Sequence, residues 1–385
     1  VDLDYREVAD LDSADSLPTD FDAVAISSFS AQIHEAYQLA DRYRKLGATV
    51  FLGGLHVTAC PEEALLHATS VVLGEAEGVW PQVMRDWRSG TLQPVYDARG
   101  IAFDLRRAPL PRYDLLEEDR YNRLTVQTQR GCPYDCDFCA ASIRLNPRFR
   151  VKPVEKVIRE IRLIKEIWPH PFIEFADDNT FADKKHGKEL LRALSREGIR
   201  WFTETDLSIA WDEELLGLMR DGGCAQVLIG FESASLEGIQ GVERKSNWKA
   251  RMFEKYREGI DRIQARGISV NGCFVLGLDG TGLESFDQVR KFVEDSGLHE
   301  VQVTIQTPFP GTPLYERLRR EGRIRFDAEW ELCTLFDVNF VPDRMSIEEL
   351  ERGFRNLVRD LYSEESTARR RSRFKNCLRQ RVAGG

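Results

Sequence analysis

The sequence predicts an α/β protein in three parts: a small doubly wound domain, a partial (β/α)6 barrel, and a C-terminal extension that is mostly helical. Apolar runs bounded by turn residues alternate with helical-period segments along most of the 385 residues, as βα units around parallel sheet require. A proline-stiffened stretch interrupts the alternation once, between Thr91 and about Arg123. Six further strand candidates follow, separated by helical segments.

In the first domain, residues 1–95, AVAIS (Ala23 to Ser27) reads as a buried strand and AQIHEAYQLADRYRKLG as a helix closed by Gly47. ATVFLGG is a second strand, PEEALLHA a short helix with Pro61 in its first turn, SVVLG a third strand and EGVWPQVMRDWRSG a helix. Residues 96–123 form a linker that Pro109 and Pro111 stiffen. The barrel spans 124–320, with strands LTVQTQ, FIEFA, RWFTET, AQVLIGF, ISVNGCFVLG and EVQVTIQTP and helices such as VEKVIREIRLIKEI and DQVRKFVEDSG. Ligands of such sheets sit at the carboxyl ends of the strands. The extension, 321–385, holds the irregular DVNFVP, the helix SIEELERGFRNLVRDLYSEES and the basic STARRRSRFKNCLRQR, read as a solvated helix face in preference to an anion-binding surface.

Composition sets aside several classes. With 42% hydrophobic and 30% charged residues the chain is an ordinary globular protein, and its net charge of -9 argues against a nucleic-acid partner. No apolar run approaches the roughly 18 residues of a transmembrane segment. The acidic start, VDLDYREVADLD, lacks the basic-then-apolar pattern of a signal peptide, so a cytoplasmic location is expected. Eight cysteines are too few for a disulfide scaffold, and a tight cluster in a reducing compartment points to metal or redox chemistry.

That cluster is RGCPYDCDFCAAS, in which Cys132, Cys136 and Cys139 follow the first barrel strand with spacing C-x3-C-x2-C. A structural zinc site wants four ligands, and no His lies between His67 and His170. A redox C-x-x-C would use Cys136 and Cys139 and leave Cys132 without a task. A buried trio of inert thiols fits poorly with the polar spacers. An iron–sulfur cubane takes one thiolate per iron, so three thiolates leave one iron open to bind a substrate.

These residues resemble the radical S-adenosylmethionine (SAM) superfamily, whose hallmark is C-x3-C-x-Φ-C with an aromatic Φ, here Phe138. The resemblance covers roughly Leu124 to Thr312. It implies an oxygen-sensitive [4Fe–4S] cluster on Cys132, Cys136 and Cys139 whose open iron is chelated by SAM. One electron then cleaves the S–C5′ bond to methionine and a 5′-deoxyadenosyl radical. The electron donor implied is a flavodoxin or ferredoxin. In FADDNTF, Asp177, Asp178 and Asn179 match the family's contacts to the SAM amino group; a helix N-cap is the competing reading for Asp178 or Asn179. Glu204 and Glu232 fall where the family places ribose- and methionine-binding polar residues. In VLGLDGTG, Gly277 and Gly280 permit close backbone approach to adenine.

The stretch FLGGLHVTACPEEALLHATSVVLGEAEGVWP resembles the cobalamin-binding, Rossmann-like domain that precedes the barrel in cobalamin-dependent radical SAM enzymes. The resemblance implies cobalamin as a further cofactor, lined by Ser27, Ser28 or Ser30 and by Gly53 with Gly54; Ser28 is the serine favoured. The family's first strand and helix have no counterpart, because Val1 already lies in a VDL strand, so the domain reads as truncated by fragmentation or a mis-called start codon. His34, His56 and His67 are read as structural, and no cobalt ligand is assigned.

APLPRYDLL, TPFPGTPLYERL and DVNFVPDRMSIEELERGFR resemble the subgroup of hopanoid C-2 methylase and bacteriochlorophyll side-chain methylases. The activity implied is C-methylation of unactivated carbon on a small-molecule substrate. A rearrangement, oxidation or cyclisation is the alternative within the superfamily, and a non-catalytic iron–sulfur carrier or redox sensor the alternative outside it. Methylthiotransferase is disfavoured, since only Cys60 precedes Cys132. Trp80, Trp87 and Trp201 are read as core packing in preference to an apolar substrate pocket.

Overall fold

The computed structural model describes residues 2–8, 16–117, 120–140 and 149–383. They form two compact units: one from the described parts of Val1–Ala108, Phe138–Arg148 and Thr307–Asn339, the other from those of Pro109–Asp137, Phe149–Gln306 and Phe340–Gly385.

The first unit runs β1 (Ala23–Ser27), α1 (Ile33–Lys45), β2 (Thr49–Gly53), α2 (Leu55–Ala59), α3 (Pro61–Leu65), β3 (Ser70–Leu73), α4 (Trp80–Ser89) and β4 (Val95–Asp97). The strands are parallel in the order β1-β2-β3-β4. Successive side chains of a strand point to opposite faces, and each face here has its own core. Val50, Leu52, Val71 and Leu73 meet α1, α2 and α3, whereas Phe51, Val72 and Tyr96 meet Trp80, Val83 and Trp87 of α4. Helices on both faces make the doubly wound domain that the sequence predicts. Helix α1 buries Ile33, Ala36, Tyr37, Ala40 and Tyr43 at helical spacing, and α4 ends on Gly90, whose φ of 72° a residue with a Cβ would resist. Strand β4 and helix α2 were not anticipated: at 3 and 5 residues they are too short for periodicity to register.

The second unit begins with β5 (Leu124–Val126) and the antiparallel pair β6 (Gln129–Arg130) and β7 (Arg150–Val151). It continues with α5 (Val154–Ile167), β8 (Phe172–Phe175), α6 (Lys184–Leu194), β9 (Arg200–Thr205), α7 (Glu213–Asp221) and β10 (Cys224–Glu232). Then come α8 (Leu236–Ile239), α9 (Trp248–Met252), α10 (Tyr256–Gln264), β11 (Ser269–Leu276), α11 (Glu284–Ser296) and β12 (Glu300–Ile305). Helix α12 (Pro313–Arg320) belongs to the first unit, and α13 (Ile347–Leu361) and α14 (Glu364–Ala383) complete the second. The six predicted strands form one parallel sheet in the order β12-β11-β10-β9-β8-β5, and β5 and β12 are its edges among the described residues, as in a partial barrel.

The two faces of that sheet differ. Ile173, Trp201, Val227, Val270 and Phe274 point to a buried apolar face, where Trp201 packs against Phe175 and Phe181 and its indole N–H donates to the Gly222 carbonyl at 2.6 Å. On the other face lie Glu174, Glu204, Asn271, Cys273 and Gln302; Glu204 is exposed and the others are half-buried. A parallel sheet buried on both sides reads as continuous apolar strands, so this alternation marks a face kept open for something polar.

Candidate functional site

The chain between β5 and Asp137 is held from two sides. From β8, the buried Asp177 carboxylate accepts from the Thr128 and Gln129 backbone N–H groups at 2.8 and 3.0 Å and from the Thr128 and Thr180 hydroxyls at 2.6 and 3.0 Å. Burial pushes this carboxyl up to about 6, against the pull of those four donors. From beyond β10, residues 242–244 pair with the cysteine loop. Cys136 and Glu243 form an antiparallel bridge, Asp137 N–H donates to the Val242 carbonyl at 3.1 Å, and Arg244 N–H to the Asp135 carbonyl at 2.9 Å. The Arg244 guanidinium grips the Asp135 carboxylate at 2.9 and 3.0 Å, and the Tyr134 ring stacks on Trp248 with centroids 5.1 Å apart.

Glu243 organises that second hold. Its carboxylate accepts the N–H groups of Lys245, Ser246 and Trp248 and the Ser246 hydroxyl. Burial works to raise its pKa, but these donors win and hold it at about 2. Asn179 spans the ends of β8 and β9: its side-chain amide donates to Asp206 at 2.8 Å and accepts from the Thr205 hydroxyl and the Asp206 N–H. Asp177 and Asn179 are thus inside the packing, while Asp178 is half-buried.

Glu204, on the open face, is solvent-exposed yet enclosed by protein. Burial first, and then the charges of Glu174, Asp178, Glu232 and Asp177, push its carboxyl up to about 7. Glu232, at the end of β10, has φ 63°, a left-handed conformation that a non-glycine residue adopts under constraint. Its carboxylate folds back over Gly230, where a Cβ would stand 2.3 Å from Glu232 Oε1, and binds the Lys249 ammonium at 2.6 Å. Gly277 has φ 82°, and a Cβ there would meet Leu350 and Phe340 at 2.8 and 2.9 Å, so its missing side chain serves packing against α13. A Cβ on Gly280 would meet only the Glu237 backbone, at 3.5 Å or beyond.

Cys132, Cys136, Phe138 and Cys139 are half-buried, and none of the described cysteines is in a disulfide. Among the described residues no three His, Cys, Asp or Glu side chains converge as they would on a single ion. A cubane asks for something different, since each thiolate takes its own iron and the donors stand apart across the cluster. Half-exposed thiols on a loop pinned at the carboxyl end of a strand fit that requirement.

In the first unit, the loops after β1 and β2 carry the other candidates. Gly54 has φ 98°, and a Cβ on it would lie 2.5 Å from Ser27 Oγ; Gly53 sits at the end of β2. Ser27 is exposed and Ser28 half-buried, whereas Ser30 is buried with its hydroxyl 3.0 Å from His56 Nδ1. Thr58 ties this edge together, donating to the Gly54 carbonyl at 2.7 Å and accepting from the Gly74 N–H at 3.0 Å. Backbone laid bare by glycine beside exposed hydroxyls fits a flat, polar-rimmed ligand such as cobalamin. His34 pairs with Glu331, and His67 with Asp41 at 2.9 Å, so all three histidines have protein partners.

Sequence reasoning passed over Thr128, Glu243, Arg244, Trp248 and Lys249. Glu243 and Lys249 lie in GVERKSNWK, an ordinary polar stretch until the fold lays it against Cys136.

The six-stranded parallel sheet and the three-thiol loop lie largely within a region that matches a radical SAM domain, and the four-stranded sheet largely within one that matches a B12-binding domain. The model of the Radical SAM superfamily matches residues 126–293, that of the B12 binding domain residues 13–84, and that of a domain of unknown function (DUF4070) residues 312–383. The cofactors are accordingly SAM, a [4Fe–4S] cluster and cobalamin. Among similar proteins, bacteriochlorophyllide d C-12(1)-methyltransferase of Chlorobaculum tepidum is 29% identical over 378 residues, 95% of this chain and 81% of that protein. Hopanoid C-2 methylase of Rhodopseudomonas palustris is 29% identical over 321 residues, 80% of this chain and 60% of the methylase. The structure of the radical SAM methyltransferase TsrM from Kitasatospora setae, with cobalamin and a [4Fe–4S] cluster bound, shares the fold with a TM-score of 0.65 at 17% identity, over 89% of this chain and 75% of TsrM.

Proposed function

We propose that the chain transfers a methyl group to an unactivated carbon of a small molecule, as a cobalamin-dependent radical SAM C-methyltransferase. The observation that carries this reading is the union in one chain of the pinned three-thiol loop and the B12-binding domain. The names of the bacteriochlorophyllide and hopanoid relatives support the outcome. They also favour a substrate with a large apolar skeleton. Bound at the two sites, the cluster supplies one-electron cleavage of SAM and cobalamin supplies methyl transfer.

In this reading Cys132, Cys136 and Cys139 hold the cluster, and Phe138 packs beside it. Asp177 and Glu243 act on the loop, not on the ligand: both spend their lone pairs on the backbone that orients it. Half-buried Asp178 and Glu204 on the open face are the acids we assign to the SAM ammonium and ribose, and Asn179 fixes the strand ends beneath them. Glu232 contributes through its pair with Lys249. The backbone near Gly277 and Gly280 borders the adenine, and Ser28, Gly53 and Gly54 border the cobalamin tail. A flavodoxin- or ferredoxin-type donor supplies the electron in the cytoplasm. No helix among the described residues is long and apolar enough to cross a membrane.

The test is anaerobic reconstitution with iron, sulfide and hydroxocobalamin, followed by mass spectrometry of the SAM products. Methyl transfer predicts S-adenosylhomocysteine together with 5′-deoxyadenosine. Deoxyadenosine alone, with substrate supplied, would mean a rearrangement, oxidation or cyclisation.

A further inference from the structure

Lys249 stands out because a buried lysine must be held by partners or give up its charge. Its ammonium donates to Glu232 Oε1 at 2.6 Å and to the Gly230 carbonyl at 2.9 Å, and its side chain is 12% exposed. Burial alone would lower its pKa, but the Glu232 carboxylate and then Cys136, within electrostatic reach, hold it well above the ordinary value. Geometry brings it there. Trp248, its neighbour in sequence, stacks on Tyr134 between Cys132 and Cys136, and Cys136 is bridged to Glu243 at the start of the same turn. The Glu243 carboxylate, by accepting the Trp248 N–H, fixes the residue from which Lys249 departs.

We propose that Lys249 sets the reduction potential of the cluster, acting as a fixed buried cation that Glu232 positions and partly neutralises. The inference rests on the assignment of the cluster to Cys132, Cys136 and Cys139. Reduction adds one electron to a thiolate-held cluster, and in a site shielded from water a nearby ammonium stabilises the added charge while a carboxylate opposes it. Lys249 and Glu232 therefore act with opposite sign. The strain in Glu232 and the bare backbone of Gly230 are what let the carboxylate reach the ammonium.

The experiment is potentiometric titration of the reconstituted cluster, followed by its electron paramagnetic resonance signal, in the wild type, Lys249→Met, Lys249→Arg and Glu232→Gln. Lys249→Met, which leaves the carboxylate bare, lowers the reduced-to-oxidised ratio at a fixed potential by about tenfold. Glu232→Gln moves the ratio the other way, and Lys249→Arg, which keeps the charge, stays near the wild type. A cluster in Lys249→Met with the wild-type midpoint, or Met and Gln variants that shift in the same direction, overturns the proposal. Should Lys249→Met fail to assemble a cluster, Glu232→Gln decides: an unchanged or lowered midpoint overturns it. Failure of the wild type to take up iron would instead sink the cluster assignment.

Discussion

Glu204 and Asp177 are both acidic residues at the carboxyl end of the same sheet, and their surroundings give them different work. Asp177 has a donor for every lone pair, which is how a carboxylate is made into a structural strut. Glu204 faces an open surface ringed by other acids and has its pKa raised to about 7 from the 4.5 of an ordinary glutamate. Its protonated form favours the fold fully below about pH 4.5, and that contribution is lost as the pH rises through about 7. Glu204→Gln should remove this loss: urea midpoints of variant and wild type should differ little near pH 4.5, with the variant ahead at pH 8. Equal midpoints at both pH values would place Glu204 outside the acidic ring. A ligand ammonium would relieve the same repulsion, and this is the ground on which Glu204 is proposed as a SAM contact.

At the scale of elements, the loop after β5 is shaped by strands distant in sequence. Asp177→Asn replaces an acceptor-only group by one with its own donors, facing four donors already. It should cost ~2–4 kcal/mol of stability in urea unfolding and lower the iron content after reconstitution. Wild-type iron content in the folded variant would show that the loop does not depend on this anchor. The cysteine spacing was legible in the sequence because it is local, a strand followed by three thiols within eight residues. The hold on it was not, because Glu243 and Lys249 lie over a hundred residues from the loop, and nothing in GVERKSNWK marks a residue as packing against Cys136. Gly277 shows the converse: its glycine was conspicuous, but that Phe340 and Leu350 fill the space beside it emerges only from packing.

At the scale of the whole molecule, the proposed cobalamin loops follow β1 and β2 of the four-stranded sheet and the cysteine loop follows β5 of the six-stranded one, so each site should keep its ligand when the other is damaged. Cys136→Ala is expected to abolish SAM cleavage while leaving the spectrum of bound hydroxocobalamin unchanged. Gly54→Ala, which forces a Cβ against Ser27 Oγ at a φ of 98°, is expected to weaken cobalamin binding by tenfold or more and leave SAM cleavage intact. Loss of both activities in either variant would contradict independent sites.

The sequence by itself determined the alternation of strands and helices that builds the parallel sheets and the tight spacing of the three thiols after the first barrel strand, since these depend on periodicity and on near neighbours. Only the tertiary structure decided which acids are saturated by donors from the chain, as Asp177 and Glu243 are, and which stand on the open face, as Glu204 does. A carboxylate's role depends on how many donors reach it and how much water it keeps, and both are set by chain segments that the sequence holds far apart.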